Sequence, residues 1–218
     1  VSASRRCLFV CFNRELASYL DEKVSGDPLH AGYADQLLIR NFPRLADEYA
    51  QRAGVAVKWP PQDRPDPHFW NEEMPAILEQ AVDILKTTED STFDAIVVDE
   101  AQDFCEMWQY SLTHSFLKDP EQGPLYIFRD PNQALFRQDE LLPFDMPFRF
   151  KLLHNCRNTQ RIARGAAELI KVEAKTLNRT PEARPVRVLA VADRREQRRL
   201  IRQEVQRLLV QERLPPSR

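Results

Sequence analysis

The sequence predicts an α/β fold: a doubly wound parallel sheet carrying a helical insertion. Short apolar, β-branched runs recur at 7–12, 95–98 and 125–128, the pattern of strands buried on both faces. Helical patterns alternate with such runs, which calls for parallel pairing with crossover helices. Between the first two runs, residues 24–90 hold mostly helical periodicity and one proline-rich loop.

In chain order, the Cys7 strand leads to Asn13, a candidate cap for a helix starting at Arg14, with Leu16, Ala17 and Leu20 as its apolar face. Residues 28–52 read as one or two helices, with Leu37, Leu38, Phe42, Leu45 and Tyr49 on the apolar side and Pro43 as a bend or divide. WPPQDRPDPHFW, residues 59–70, is a loop, and 72–86 is helical again. Ala95–Val98 then leads to a helix near 106–117, and Leu125–Phe128 leads to the turn RDPNQ. Phe148–Leu153 reads as a strand leading to NCRNT and a helix through Ile170. Val186–Val191 reads as a last strand, before a charged helix from Asp193 to about Arg213.

Composition narrows the function classes. The 218 residues are 43% hydrophobic and 29% charged, with a net charge of −2, so the chain is not polybasic, although its 31 Lys and Arg leave room for a local basic groove. No run approaches the roughly 18 apolar residues of a membrane span. The cysteines at 7, 11, 105 and 156 form no CxxC pair and have no histidine at finger-like spacing, which argues against zinc and for reduced, packed thiols in a cytoplasmic setting. The first residue is Val1 and the last stretch, LPPSR, follows a helical pattern without a capping glycine, so the chain reads as cut from something longer.

The stretch FDAIVVDEAQDF, residues 93–104, carries the chemistry. A buried strand runs straight into Asp99, Glu100, Gln102 and Asp103. Ligands of open α/β sheets bind outside the carboxyl ends of the strands. Burying a carboxylate pair there costs several kcal/mol unless charge or metal compensates. Mg²⁺ carried by nucleotide phosphates is an economical compensation, since it takes one or two carboxylates and fills its shell with water and phosphate. A second carboxylate can then polarise an attacking water. The plainer alternative is a strand ending in an exposed turn, with Asp99 capping the next helix.

AIVVDEAQDF resembles motif II, the Walker B segment, of UvrD/Rep-type superfamily I DNA helicases. CLFVCFNRELASYL resembles motif Ia, LYIFRDPNQALF motif III and LLHNCRNTQRIA motif IV, in that family's order across residues 7–163. The resemblance implies RecA-like (P-loop NTPase) domains: residues 1–23 and 91–150 as part of the first, 24–90 as a mostly helical insertion, and 151–218 as the start of the second. It implies that Asp99 holds Mg²⁺ with ATP, that Glu100 is general base, and that Gln102 and Asp103 link the nucleotide to neighbouring motifs. Gln133 would sense the γ-phosphate, or only pin the turn at Asp130–Pro131–Asn132. Arg157 would be an arginine finger, a role worth about 10³–10⁵ in rate in related phosphoryl transfers, or would pair with an acidic neighbour. Asn155 and Thr159 would cap the following helix. Phe12 and Asn13 would touch single-stranded DNA, with Phe12 as plain core the alternative. Phe136 would stack on a base or join the core.

The sequence departs from the family in four respects. Arg129 stands where motif III begins with glycine, which implies a different local backbone or a cation reaching the phosphates. Cys156 stands where motif IV has an aromatic. No G-x-x-x-x-G-K-[ST] occurs: the glycines lie at 26, 32, 54, 123 and 165, none before a lysine. Motifs V and VI are absent too. The expected sheet is therefore incomplete, missing a central strand whose neighbours would close up or stay as exposed edges that invite self-association. The expected parent is an ATP-dependent motor on single-stranded and duplex DNA, with this chain alone inactive. The competing readings are a RecA-like scaffold that binds DNA or protein without hydrolysis, and a metal-dependent nuclease, for which motif II lacks a dense acidic cluster with a lysine. RREQRRLIRQEVQR, residues 194–207, either faces nucleic acid or is a solvated face whose Glu196 and Glu204 pair with arginines.

Overall fold

The computed structural model describes residues 5–28, 31–61, 63–64, 66–87, 91–130, 133, 146–171, 173, 175–177 and 179–214. The chain divides into two compact units, residues 1–148 and 149–218.

The first unit is α/β, built on a four-stranded, all-parallel sheet. Its strands are β1 (Cys7–Cys11), β2 (Leu37–Asn41), β3 (Ala95–Asp99) and β4 (Leu125–Ile127), in the order β2-β1-β3-β4. Cys11 is in register with Asn41 on one side and Asp99 on the other, so three strands end at one edge. β1 pairs directly with β3, and β2 and β4 form the two edges of the described sheet.

The α-helices among this unit's described residues are α1 (Arg14–Gly26), α2 (Phe42–Ala53), α3 (Met74–Leu85) and α4 (Glu106–Ser111). Strand alternation sends Leu8, Val10, Ile96 and Val98 into one core with Phe42, Leu45 and Tyr49 of α2, Leu78 and Val82 of α3, and Trp108 of α4. Each such burial contributes about 1.5–3 kcal/mol. The Phe42 and Trp108 rings stack at 4.2 Å and 8°, with Phe104 edge-on to Trp108 at 5.4 Å. Arg40 ties β2 to both flanking helices, pairing with Asp21 at 3.1 Å and Glu48 at 2.8 Å. Gly54 ends α2 at φ 70°, where a Cβ is disfavoured.

Two expectations for this unit are corrected. Residues 37–41 are not helical but form β2, inside the stretch read as a mostly helical insertion. Pro43 neither bends nor divides a helix. It sits in the first turn of α2, where its missing N–H has no helical acceptor to lose.

The second unit holds α5 (Gln160–Ile170) and α6 (Arg194–Gln206), the latter continued by a π-turn at Arg207–Gln211. The strands expected at 148–153 and 186–191 do not form. Their side chains stand exposed, with Phe150 at 90% and Val188 at 81%, and the only bridge among the unit's described residues joins Asn155 to Thr176. Contacts local to α5 and α6 hold the unit instead. The Gln160 side-chain amide donates to the Thr180 carbonyl at 2.7 Å, and Glu182 receives Arg164 at 3.1 Å and Arg161 at 3.4 Å. Asp193 caps α6 by accepting the Glu196 N–H at 2.7 Å. Glu204 pairs with Arg207 at 2.6 Å and Arg187 at 3.1 Å, and Glu212 with Arg184 at 2.7 Å and with Arg207.

The units differ in charge. Residues 1–148 contain 13 Lys and Arg against 26 Asp and Glu, a net −13, whereas residues 149–218 contain 18 against 7, a net +11.

Among the described residues, no helix is long and apolar enough to cross a membrane.

Candidate functional site

The carboxyl edge of the sheet gathers Asn41, Cys11 and Asp99 in register, with the chain after β3 turning back across it. Asp99 is half-buried, and its Oδ1 accepts the Glu100 N–H at 3.0 Å. Burial pushes the Asp99 carboxyl above the usual carboxylate range; the Glu100 N–H opposes that shift and the Glu100 charge adds to it. Among the described residues neither carboxylate has a Lys, Arg or His partner. Two adjacent acidic side chains therefore share a strand end with no cation among the described residues to balance them.

Glu100 adopts a left-handed backbone, φ 55° and ψ 39°. For an L-residue other than glycine this costs about 1–2 kcal/mol. The turn is held from both sides. The Ala101 N–H donates to the Phe128 carbonyl at 3.0 Å, and Ala101–Asp103 closes as a short 3₁₀ turn with the Asp103 N–H on the Glu100 carbonyl at 3.1 Å.

Gln102 connects this turn to the loop after β4. It is buried; its amide NH₂ donates to the Glu100 carboxylate, and its Oε1 accepts the Asp130 N–H at 3.0 Å. The Asp130 carboxylate in turn accepts the Gln133 amide at 2.6 Å, and the Gln133 N–H donates to the Asp130 carbonyl at 3.0 Å. Glu100, Gln102, Asp130 and Gln133 thus form one hydrogen-bonded line from the strand end to the exposed Gln133. Asp130 is a member that sequence reading missed; its place in a turn-forming Asp–Pro–Asn string was visible, its role as acceptor was not.

The edge has two further polar groups. The Cys11 thiol is buried and pushed up to about 11, first by burial and then by the Asp99 charge, so it stays protonated. Its Sγ donates to the Asn13 carbonyl at 3.3 Å. The Asn41 Oδ1 is buried without a hydrogen-bond partner among the described residues.

Phe12 leans on the core, with ring centroids 6.1 Å from Trp108 and 6.5 Å from Phe104. Asn13 caps α1, accepting the Leu16 N–H at 3.0 Å. Phe136 lies outside the described residues. Arg129 is exposed and is not among the described residues with positive φ; at this edge the left-handed residue is Glu100. Asp103 is half-buried in the 3₁₀ turn.

Arg157 belongs to the second unit, where it is exposed and its N–H donates to the Asn155 Oδ1 at 3.2 Å. The same oxygen accepts the Asn158 N–H at 2.9 Å. Asn155 shapes the turn before α5, whereas Thr159 stands at the N-cap position without a side-chain capping bond. Arg157 and Cys156 line a cleft with Arg179, Thr180 and Pro181.

No protein-family model matches the chain, and no curated protein matches it.

Proposed function

We propose that the chain is a section of an ATP-dependent superfamily I DNA helicase or translocase, a RecA-like motor that couples ATP hydrolysis to movement on single-stranded DNA. The observation that carries the reading is the line Glu100–Gln102–Asp130–Gln133 leaving a carboxylate pair, unpaired with any cation among the described residues, at the carboxyl edge of a parallel sheet. Such a line gives the chain after β4 a direct hydrogen-bonded route to a candidate general base.

The donor set suits magnesium. Both carboxylates offer hard oxygens, and among the described residues no three His, Cys, Asp or Glu side chains converge, so a cation here would depend on phosphate and water oxygens. Asp99 would hold it, and bound with ATP it would neutralise phosphate charge. Glu100, steadied by the Gln102 amide, accepts the proton of the attacking water. Gln133, tied to Asp130, would sense the γ-phosphate. Arg157 would be the arginine finger that the resemblance implies.

A scaffold that binds without hydrolysis is the second reading, favoured by one observation: no G-x-x-x-x-G-K-[ST] occurs in the 218 residues. The two diverge in a measurement. The 218-residue chain is expected to bind Mg-ATP no tighter than about 10 μM by calorimetry, for want of a phosphate cradle. In the protein as its gene encodes it, single-stranded DNA is expected to stimulate ATP hydrolysis. There Glu100→Gln lowers the rate by about 10²–10⁴ while DNA binding is retained. DNA binding with no hydrolysis in the unchanged protein would establish the scaffold and sink the motor.

A further inference from the structure

We propose that the outer face of α6 is a phosphate-backbone-binding surface for nucleic acid, formed by Arg195, Arg198 and Arg202 with Arg194 at the helix start. The inference does not rest on the motor reading, since a basic unit can hold a polyanion without hydrolysing a nucleotide.

Three observations carry it. The first is the charge of the unit: +11 over residues 149–218, in a chain whose total is only −2. The second is how that charge is spent. Glu182, Glu196, Glu204 and Glu212 are each engaged by arginines, and Asp193 is engaged in capping. Arg194, Arg195, Arg198 and Arg202 are exposed, and among the described residues none has a carboxylate partner.

The third is where the two sets lie. Arg195, Arg198 and Arg202 follow i, i+3, i+7 spacing and so share one stripe. At 1.5 Å per residue that stripe is about 10 Å long. Glu196, Glu204 and Arg207 fall on the other side of the helix, and Glu204 reaches Arg187 from there. The helix therefore sorts its charges, neutralised inward and bare outward.

Neighbouring arginines on one stripe repel each other, which destabilises a helix unless a counter-charge arrives. A continuous polyanion supplies that charge along the whole stripe, and guanidinium forks match phosphate oxygens bidentately. A discrete acidic site would answer one arginine and leave the rest of the +11 unanswered. Ile201 and Val205 stand exposed beside the row at 57% and 48%, an aliphatic margin that a protein surface would also cover. The competing occupant is accordingly the −13 unit of a second copy.

The test measures binding of labelled single-stranded DNA, duplex DNA and single-stranded RNA of mixed sequence to the 218-residue chain, by anisotropy, from about 50 to 200 mM salt. The triple variant Arg195→Gln, Arg198→Gln, Arg202→Gln is compared with the unchanged chain. Glutamine keeps helix propensity, and no residue of α6 is buried, so the variant is expected to fold, as circular dichroism would verify. The proposal expects the variant to bind roughly tenfold or more weakly at the higher salt, with the slope of log K on log salt reduced by about 2 for single strands and 3 for duplex. Which nucleic acid binds tightest identifies the source of the phosphates. Equal affinity and slope for both proteins overturns the proposal. So does the absence of any nucleic-acid binding, above all if light scattering shows a low-salt dimer that the triple variant abolishes. Neither result bears on the Glu100→Gln test of hydrolysis.

Discussion

At the scale of residues, the site is defined by one unfavourable choice. Asp99 is placed where burial opposes its charge, and no cation among the described residues relieves it. The raised pKa fixes the sign of a stability effect. A carboxyl whose folded pKa lies above its unfolded value stabilises the fold only while protonated, and that stability is lost as pH rises through the carboxylate range. Asp99→Asn is therefore expected to raise the urea midpoint at pH 7, with the gain over the unchanged protein vanishing as pH falls below the carboxylate range. An Asp99→Asn protein less stable than its parent at pH 7 would mean that Asp99 is compensated after all. The identities of Asp99, Glu100 and Gln102 were legible, because a buried strand seldom runs into so many polar side chains unless a ligand site needs them at its carboxyl end. The left-handed turn at Glu100 was not. Nothing local in glutamate asks for it, and the contacts that impose it come from Phe128 and from the Asp130–Gln102 bond, 28 residues away in sequence.

At the scale of elements, the aromatic stack between α2 and α4 holds the helices on the sheet. Phe42→Ala removes a fully buried ring that stacks on Trp108 and meets Phe104 edge-on. It is expected to cost about 3–5 kcal/mol in denaturant unfolding, and a loss under about 1 kcal/mol would show that the stack collapses onto the void. Apolar runs betray β1, β3 and β4 in the sequence, yet β2 is hidden. Leu37, Leu38, Phe42, Leu45 and Tyr49 look like one helical stripe because the strand passes into α2 without a turn residue between Asn41 and Phe42. The opposite error occurs at 148–153 and 186–191. Alternation states what a segment would bury if it found a ladder partner, and within the second unit these segments find none. The helices there were readable since caps are local: Asp193 and Glu196 lie three residues apart and bond as that spacing invites.

At the scale of the whole molecule, the division into units reveals what a net charge of −2 conceals, namely two opposite charges of −13 and +11. Total composition cannot show this, because the boundary at 148/149 carries no glycine or serine tract to announce it. The α/β class with a parallel sheet was legible from strand–helix alternation, whereas the sorting of arginines on α6 depended on knowing which glutamates face inward. The uneven distribution has a consequence for anyone handling the protein. A chain with a sequence pI of about 6.2 should pass a cation exchanger at neutral pH, but one basic unit is enough to anchor it there. Retention on both anion and cation resins at pH 7 is expected, each reversed by modest salt, and failure to bind the cation resin would mean the +11 is masked. The same molecule should be least soluble in dilute buffer and dissolve more readily as salt is added, since screening weakens attraction between the acidic part of one copy and the basic part of the next.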